Sequence, residues 1–346
     1  MIPPRFHGVA LAAGSAAGAV ALAILGLWCA GFAPLAVITT WCAGAFGNGT
    51  RIALSLQEAG PLLLTGLATA LAFRCGVLNV GGEGQFLAGA ALFTAAALVL
   101  PVVGFALPLA LGLGAAAGAA WAAIAAGLAR WRGVPVVLST ILLNIIAVAV
   151  LGALVEGPLR DPATTAPQSA LVADVFHLPV LVAGTRLHLG IVLAFVLAGV
   201  VWLVHERTSL GFEAKVIGLN PAAALRVGMP VAARQMQLLV ASGAIAGLAG
   251  AAQVAGVTHF LSAATTSYGY AGIVVALLGR LHPVGIAAAA LFMGLLDTGG
   301  RACEKQLGVP HELGDVVKGV MVLGVLIAAA WAARRSAAAH QGPADG

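Results

Sequence analysis

Long, uninterrupted apolar runs constrain the fold of this chain more than any other feature. They recur along its 346 residues, and many approach the length of about 20 residues that a helix needs to cross roughly 30 Å of hydrocarbon. A backbone inside lipid must satisfy its own hydrogen bonds, which a helix does and an open sheet cannot. The runs are continuous rather than alternating, which argues against a β-barrel.

The runs predict an all-α, polytopic membrane bundle of about eight to ten helices within a single transmembrane domain, residues 1–346. The run at 267–279 is too short to span comfortably and is predicted to be a half-helix. Two long connections stand out, 156–187 and 205–235. The runs lie at 9–30, 52–73, 83–101, 105–128, 135–155, 188–204, 236–256, 267–279, 283–299 and 312–333.

Glycine is abundant, at 46 residues. Small residues let helix backbones approach closely in lipid, so they favour tight packing. Three small-xxx-small motifs fit that scheme: GSAAG at 14–18, GAAAG at 114–118 and GAIAG at 243–247. The bundle is therefore predicted to contain close helix crossings.

The basic residues predict the orientation. Charged residues make up only 8% of the chain, with a net charge of +5, and no basic cluster is interleaved with aromatic residues as a nucleic-acid site requires. With the N-terminus placed in the cytoplasm, eleven Lys and Arg face inward and five outward, and Lys318 lies inside a run. This asymmetry predicts a multi-pass inner-membrane protein with both termini cytoplasmic and 156–187 outside.

The sequence carries no recognisable enzymatic or metal motif. The four cysteines lack metal-ligand spacing, and HExxH, GxSxG and paired-carboxylate patterns are absent. A P-loop needs a lysine directly after glycine, whereas Lys215, Lys305 and Lys318 follow Ala, Glu and Val. A membrane-embedded enzyme is therefore disfavoured, and no cofactor is expected in this chain.

The connection 205–235 contains a helix-start signal. Asn220 can cap free amides, Pro221 suits the first helical position, and Gly228 ends the helix-forming stretch AAALRV. We predict a short surface helix between membrane helices. It either transmits motion from a soluble partner or is a solvated connector.

The stretch FRCGVLNVGGEGQ, residues 73–85, interrupts two apolar runs. Its four glycines weaken a helix by up to about 1 kcal/mol each, so we predict a break between two helices. Irregular backbone at membrane depth survives where it lines a cavity or is buried in protein. Asn79, Glu83 and Gln85 therefore line a passage or brace its inner end. Alternatively, Glu83 caps the helix that follows it.

Other polar residues within or beside the runs extend this set of candidates. A charge near mid-membrane costs about 3 kcal/mol, so Glu58 and its neighbour Gln57 are expected to face the bundle interior. Tyrosines beside the half-helix suit sugar or base faces, or anchor it at the membrane interface. For Glu58, Gln57 and Asn144, the alternative is that they only form hydrogen bonds between helices. The predicted passage residues are Glu58, Asn79, Glu83, Gln85, Asn144, Tyr268 and Tyr270.

Two further pairs of charged residues have helical spacing. Asp297 and Arg301 are four residues apart, and Asp315 and Lys318 are three apart. Each pair can neutralise itself on one helix face.

Three motifs resemble those of the permeases of ATP-binding-cassette (ABC) importers in the branched-chain amino acid, ribose and simple-sugar superfamily. RTSLGFEAKVIGLNPAAALRVGM (207–229) is similar to their coupling loop, although Lys215-Val216 replaces the common Arg-Ala. LNVGGEGQ (78–85) and YAGIVVALLGRLHPVGI (270–286) resemble motifs of the nucleoside and simple-sugar branch. The matching loop positions and their neighbours assigned to coupling are Thr208, Gly211, Lys215, Gly218, Asn220, Pro221, Ala223, Ala224, Arg226 and Gly228.

This resemblance implies a permease subunit for nucleosides or simple sugars, working by alternating access. It implies four kinds of partner: an ABC ATPase that binds ATP and Mg²⁺, a second homologous permease in a heterodimer, an extracytoplasmic solute-binding protein and membrane lipid. Two alternatives remain open, a branched-chain amino acid permease and an ATP-independent channel or secondary carrier.

Overall fold

The structure is a computed structural model that describes residues 18, 21, 24–263, 267–310, 312–320, 322–324 and 327. In this part of the chain the regular structure is helical, and the only β pairing consists of three isolated bridges. The predicted all-α fold is confirmed. The helices with defined bounds are α1 Pro34–Phe46, α2 Gly49–Phe73, α3 Gly82–Val99, α4 Ala106–Arg132, α5 Val136–Glu156, α6 Gly190–Arg207, α7 Ser209–Leu219, α8 Pro221–Arg226, α9 Val231–Gln253, α10 Tyr268–Leu278 and α11 Pro283–Leu307.

Seven helices of the described part are long and apolar enough to cross a membrane: α2 to α6, α9 with the turn that follows it, and α11. The predicted half-helix is confirmed as α10, which has 11 residues. No predicted run covers α1, whose 13 residues fall short of a spanning length. Most of the first predicted run, 9–30, and much of the last, 312–333, lie outside the described residues.

The chain divides into two compact units, one of them Ala53–Gly294 and the other Met1–Ile52 with Leu295–Gly346. Within the second unit, the Lys318 ammonium lies 2.6 Å from Asp297 and 2.9 Å from Asp315. The pair Asp315–Lys318 is therefore confirmed. Asp297 meets the same ammonium from another helix, a contact that spacing along one helix could not predict.

Within Ala53–Gly294, α4 and α9 cross with their backbones in contact, and the predicted motifs GAAAG and GAIAG form the crossing. A Cβ on Gly118 would overlap the carbonyl oxygen of Gly243 and lie 2.6 Å from the Cα of Gly247. A Cβ on Gly114 would lie 2.6 Å from that of Ala251. The predicted role of these two motifs is confirmed. Of the third motif, GSAAG, only Gly18 lies in the described part.

The long connection 156–187 folds back on the end of α9, which closes with a π-helical turn, Val254–Thr258. Backbone amides of Ser169, Val172 and Leu178 donate to carbonyls of residues 255–261. The His177 and His259 rings stack at 3.8 Å. Burial is the main cause, and the nearby His259 the second, that lowers the pKa of His188 to about 4. The imidazole is therefore neutral near pH 7, and its Nδ1 accepts a hydrogen bond from the Gly190 amide at 3.1 Å. This connection is thus tied to the segment that leads into α10.

Candidate functional site

The connection 205–235 folds into two helices, α7 and α8. The Asn220 side chain accepts from the Ala223 amide at 3.0 Å, and Pro221 occupies the first turn. Beyond the end of α8, Gly228 adopts φ +82°, a conformation that favours glycine. The predicted short helix and its cap are confirmed. The helix α7 was missed, although Thr208 caps it by accepting from the Gly211 amide at 3.3 Å.

Two glycines of this connection make close backbone contacts. A Cβ on Gly211 would overlap the carbonyl oxygens of Val204 and His205 at the end of α6. A Cβ on Gly218 would overlap the carbonyl oxygen of Arg74, just beyond α2. The positions that the resemblance singled out as Gly therefore seat α7 against the ends of two membrane helices.

Polar side chains add further attachments. Gln235 donates to the carbonyl of Cys75 at 3.1 Å, and Arg234 pairs with Glu213 at 2.5 Å. Of the other residues assigned to coupling, Ala224 is buried, whereas Lys215, Pro221, Ala223 and Arg226 are exposed. The loop thus has an inner face fixed to the bundle and an outer face in solvent.

The outer face carries large apolar side chains that nothing in the described part covers. Four of them are between 61% and 78% exposed: Phe212, Leu219, Leu225 and Val227. Exposed apolar side chains close together in sequence and flanked by charge are typical of a protein-interaction surface.

The stretch 73–85 breaks the helix where its glycines predicted. α2 ends at Phe73 and α3 begins at Gly82. Between them, Asn79 and Gln85 form a reciprocal amide pair at 3.1 and 3.2 Å. Asn79 also donates to Ser242 at 3.0 Å and accepts from the Gly81 amide at 2.9 Å. We call Asn79, Gln85 and Ser242 the amide cluster. It holds the irregular segment between α2 and α3 in place, and the predicted bracing of the inner end of a passage stays a prediction.

The start of α10 is held by polar side chains from three different helices, which we call the α10 clamp. Each member contacts one of three consecutive residues. Glu58 of α2 accepts from the Tyr268 hydroxyl at 2.8 Å, Glu83 of α3 accepts from the Gly269 amide at 2.9 Å, and Asn144 of α5 donates to the Tyr270 hydroxyl at 3.1 Å. The structure thus places the seven predicted passage residues in two networks, and their part in a passage stays a prediction.

The alternative interpretation of Glu83 as a cap of its own helix is wrong. The N-cap of α3 is Gly81, without a side-chain hydrogen bond. The Glu83 carboxylate instead meets the first turn of α10, because Gly269 brings its backbone against that of Glu83. The second carboxylate oxygen, Oε1, is buried without a hydrogen-bond partner in the described part, as is Oε1 of Gln57.

Sequence reasoning missed Ser242 and Gly269. The position of Gly269 between two tyrosines was the only local signal for the contact with Glu83, since the two residues are 186 positions apart. Ser242 directly precedes GAIAG, where it resembles another small packing residue.

One cavity of about 300 Å³ lies within Ala53–Gly294. Its lining includes Val77, Ala126, Arg130, Gln235 and Leu239. None of the seven predicted passage residues lines this cavity.

Asn144 is predicted to be essential for the stability of the clamp. It also accepts from the Gly84 amide and donates to the Val80 carbonyl, each at 2.9 Å, so Asn144→Leu leaves two backbone groups without their partner. We expect the free energy of unfolding to fall by at least about 2 kcal/mol, seen as a lower melting temperature of the purified protein. Tyr270→Phe, which removes a single bond, is the control, expected to cost about 1 kcal/mol. Equal melting temperatures for the two variants would contradict this role.

Comparison with known proteins gives a consistent family. Residues 51–326 match the family described as branched-chain amino acid transport system / permease component. The chain is 36% identical to the guanosine ABC transporter permease protein NupP of Bacillus subtilis, over 81% of this chain and 82% of that protein. It is 35% identical to the glucose ABC transporter permease protein TsgB13 of Haloferax volcanii, over 78% and 74%. It is 30% identical to the nucleoside ABC transporter permease protein NupB of Lactococcus lactis, over 82% and 81%. The comparison with solved structures finds no match.

Proposed function

This chain belongs to the branched-chain amino acid transport system / permease component family, and from that premise we propose that it imports nucleosides or related simple sugars as the permease subunit of an ABC transporter. The observation that carries the proposal is the similarity, over about four fifths of the chain, to relatives named as guanosine and nucleoside permeases. The similarity to a glucose permease favours simple sugars as the second solute class.

The connection 205–235 supports coupling to a separate ATPase. Its capped helix α7 sits on the ends of α2 and α6 through Gly218 and Gly211, and its outer face exposes apolar side chains such as Leu219 and Leu225. We propose that this face is cytoplasmic, as the distribution of basic residues predicts. The same distribution places both termini in the cytoplasm and 156–187 outside.

The ATP and Mg²⁺ are proposed to bind to the partner ATPase, since the P-loop lysine that would hold phosphates is not found in this sequence. A second, homologous permease would complete the passage in a heterodimer, and an extracytoplasmic solute-binding protein would deliver the solute. The transport cycle is alternating access: closure of the ATPase pair moves α7 and α8, and the passage changes the side to which it opens.

Reconstitution tests the proposal directly. Vesicles that contain this chain, its second permease and the ATPase, supplied with the solute-binding protein, are expected to accumulate guanosine or glucose against a gradient when ATP is present. Vesicles with this chain alone are expected to accumulate neither. Accumulation by the chain alone would favour a secondary carrier. Leucine accumulation by the full assembly, with neither guanosine nor glucose moved, would favour the branched-chain amino acid alternative.

A further inference from the structure

The segment Arg74–Glu83 runs from the end of α2 into the first turn of α3, and its first residues contact the connection 205–235. The carbonyl of Arg74 lies against Gly218, and that of Cys75 accepts from Gln235. The Cys75 side chain, fully buried, packs in one cluster with Ala214 and Ile217 of α7 and with Ala224 of α8. A displacement of α7 or α8 toward the bundle therefore acts directly on this segment.

The middle of the segment is held rigidly. Asn79 is 2% exposed, and both donor hydrogens of its amide are used, one by Gln85 and one by Ser242. Its oxygen accepts from the Gly81 amide two residues on. Because a buried amide that loses its partners is costly, the segment is expected to move as a unit rather than to bend at Asn79.

The other end of the segment contacts the first turn of α10. The Glu83 carboxylate accepts from the Gly269 amide, and a Cβ on Gly269 would overlap the Glu83 backbone nitrogen. Neither Gly218 nor Gly269 has a side chain that could yield. Close-packed backbone contacts transmit displacement because they have no room to absorb it.

The half-helix α10 is bounded by backbone suited to hinging. Ser267 precedes it with φ +54°, and Arg280 and Leu281 follow it with φ +55° and +57°. Left-handed φ is uncommon for residues other than glycine, and such conformations cluster at switch regions. α10 is therefore bordered at both ends by residues with left-handed φ.

From these contacts we propose that Arg74–Glu83 is the connection by which α7 and α8 move α10, with Gly218 and Glu83 as its two positioning residues. The inference rests on the proposed function, because it takes the ATPase to act on α7 and α8. It adds the element that receives the motion, α10, and the path by which the motion arrives.

Thiol labelling of α10 tests the connection. Leu277→Cys places a reporter on α10 at a position that is 45% exposed and outside the α10 clamp. Cys29 and Cys42, which are exposed, are changed to Ser, while Cys75 and Cys303 are buried. Burial also raises the pKa of Cys75 to about 11, and the assembly without Leu277→Cys, labelled in both states, reports any reaction of Cys75 or Cys303. In the full assembly, labelling with a maleimide is measured without nucleotide and with ATP and vanadate.

We expect the labelling rate to change by about tenfold between the two states. This is the change expected when the population of one conformer rises from about 10% to nearly all molecules. Gly218→Ala is expected to abolish this difference in assemblies that purify with normal yield and with the ATPase bound, the state in which the comparison is made. The matched control is Gly152→Ala on α5, where a Cβ would meet nothing within 4 Å, and it is expected to keep the difference. A full tenfold change in Gly218→Ala would overturn the connection.

Glu83 supplies a second test, away from the outer face to which the ATPase would bind. Glu83→Ala removes the bond to Gly269 and is expected to leave ATP hydrolysis running while guanosine uptake falls at least tenfold, whereas Glu83→Gln, which keeps an acceptor oxygen, restores part of the uptake. Uptake per ATP equal to that of the unaltered assembly in Glu83→Ala would refute the role of Glu83. If the unaltered assembly itself shows neither uptake nor an ATP-dependent labelling change, the proposed function fails first; if it shows both and the variants keep both, only the connection fails.

Discussion

Gly118→Ala is expected to remove most of the folded protein from the membrane. The added Cβ would overlap the carbonyl oxygen of Gly243 and come close to the Cα of Gly247, so both neighbours are backbone and cannot rotate away. Overpacking typically costs about 1–3 kcal/mol where side chains can adjust. Here they cannot, and we expect a loss of at least about 3 kcal/mol. The yield of monodisperse protein after detergent extraction, together with its melting temperature, measures the effect.

The same helix offers a matched control. Gly112 also lies in α4, and a Cβ there would meet nothing within 4 Å. Gly112→Ala should give normal yield and a melting temperature at or above that of the unaltered chain, since alanine favours helix over glycine by up to about 1 kcal/mol. If Gly118→Ala behaves like Gly112→Ala, the α4–α9 crossing is not as close as described.

Leu225→Glu should release the ATPase from the permease. Leu225 is 66% exposed on α8, so the substitution leaves the bundle intact, but it places a charge in the centre of the proposed docking face. An anchoring residue of this kind contributes about 2 kcal/mol or more, equivalent to roughly thirtyfold weaker binding. The measurements are co-purification of the ATPase with the tagged permease and ATP-driven guanosine uptake, and both are expected to fall to background.

Leu171→Glu is the control for Leu225→Glu. Leu171 is 70% exposed, like Leu225, but belongs to the connection 156–187. The ATPase should remain bound to this variant. Retention of the ATPase by Leu225→Glu as well would show that the outer face of α8 does not dock it.

Local sequence signals were sufficient to predict several helices and helix ends. Asn220-Pro221 predicted the start of α8, because capping depends on a side chain and an amide three residues apart. The glycines of 73–85 predicted the break between α2 and α3, and the short run at 267–279 predicted α10. The helices α1 and α7 were missed, since one is too short to span and the other lies in a charged loop where no apolar run marks it.

The polar candidates show where local reasoning ends. Glu58 and Asn144 were selected as polar groups within apolar runs, where they need partners. Asn79, Glu83 and Gln85 were selected because irregular backbone at membrane depth lines a cavity or is buried in protein. Such patterns identify the polar residue but not the group to which it bonds. For Glu83, the sequence offered either a passage or the nearest free amides, those of its own helix, whereas the amide that it accepts from belongs to Gly269 of another helix.

The amino-acid sequence by itself determined that this chain is a bundle of membrane helices with a capped helical connection. In lipid, the backbone groups of each helix must form their hydrogen bonds within that helix, and a capping side chain acts within a single turn. Only the tertiary structure decided which polar groups meet, and hence that α10 is held by three helices and reached through Arg74–Glu83. Those contacts depend on how closely glycines let backbones that are far apart in sequence approach each other. The spacing of residues along the chain does not show that distance.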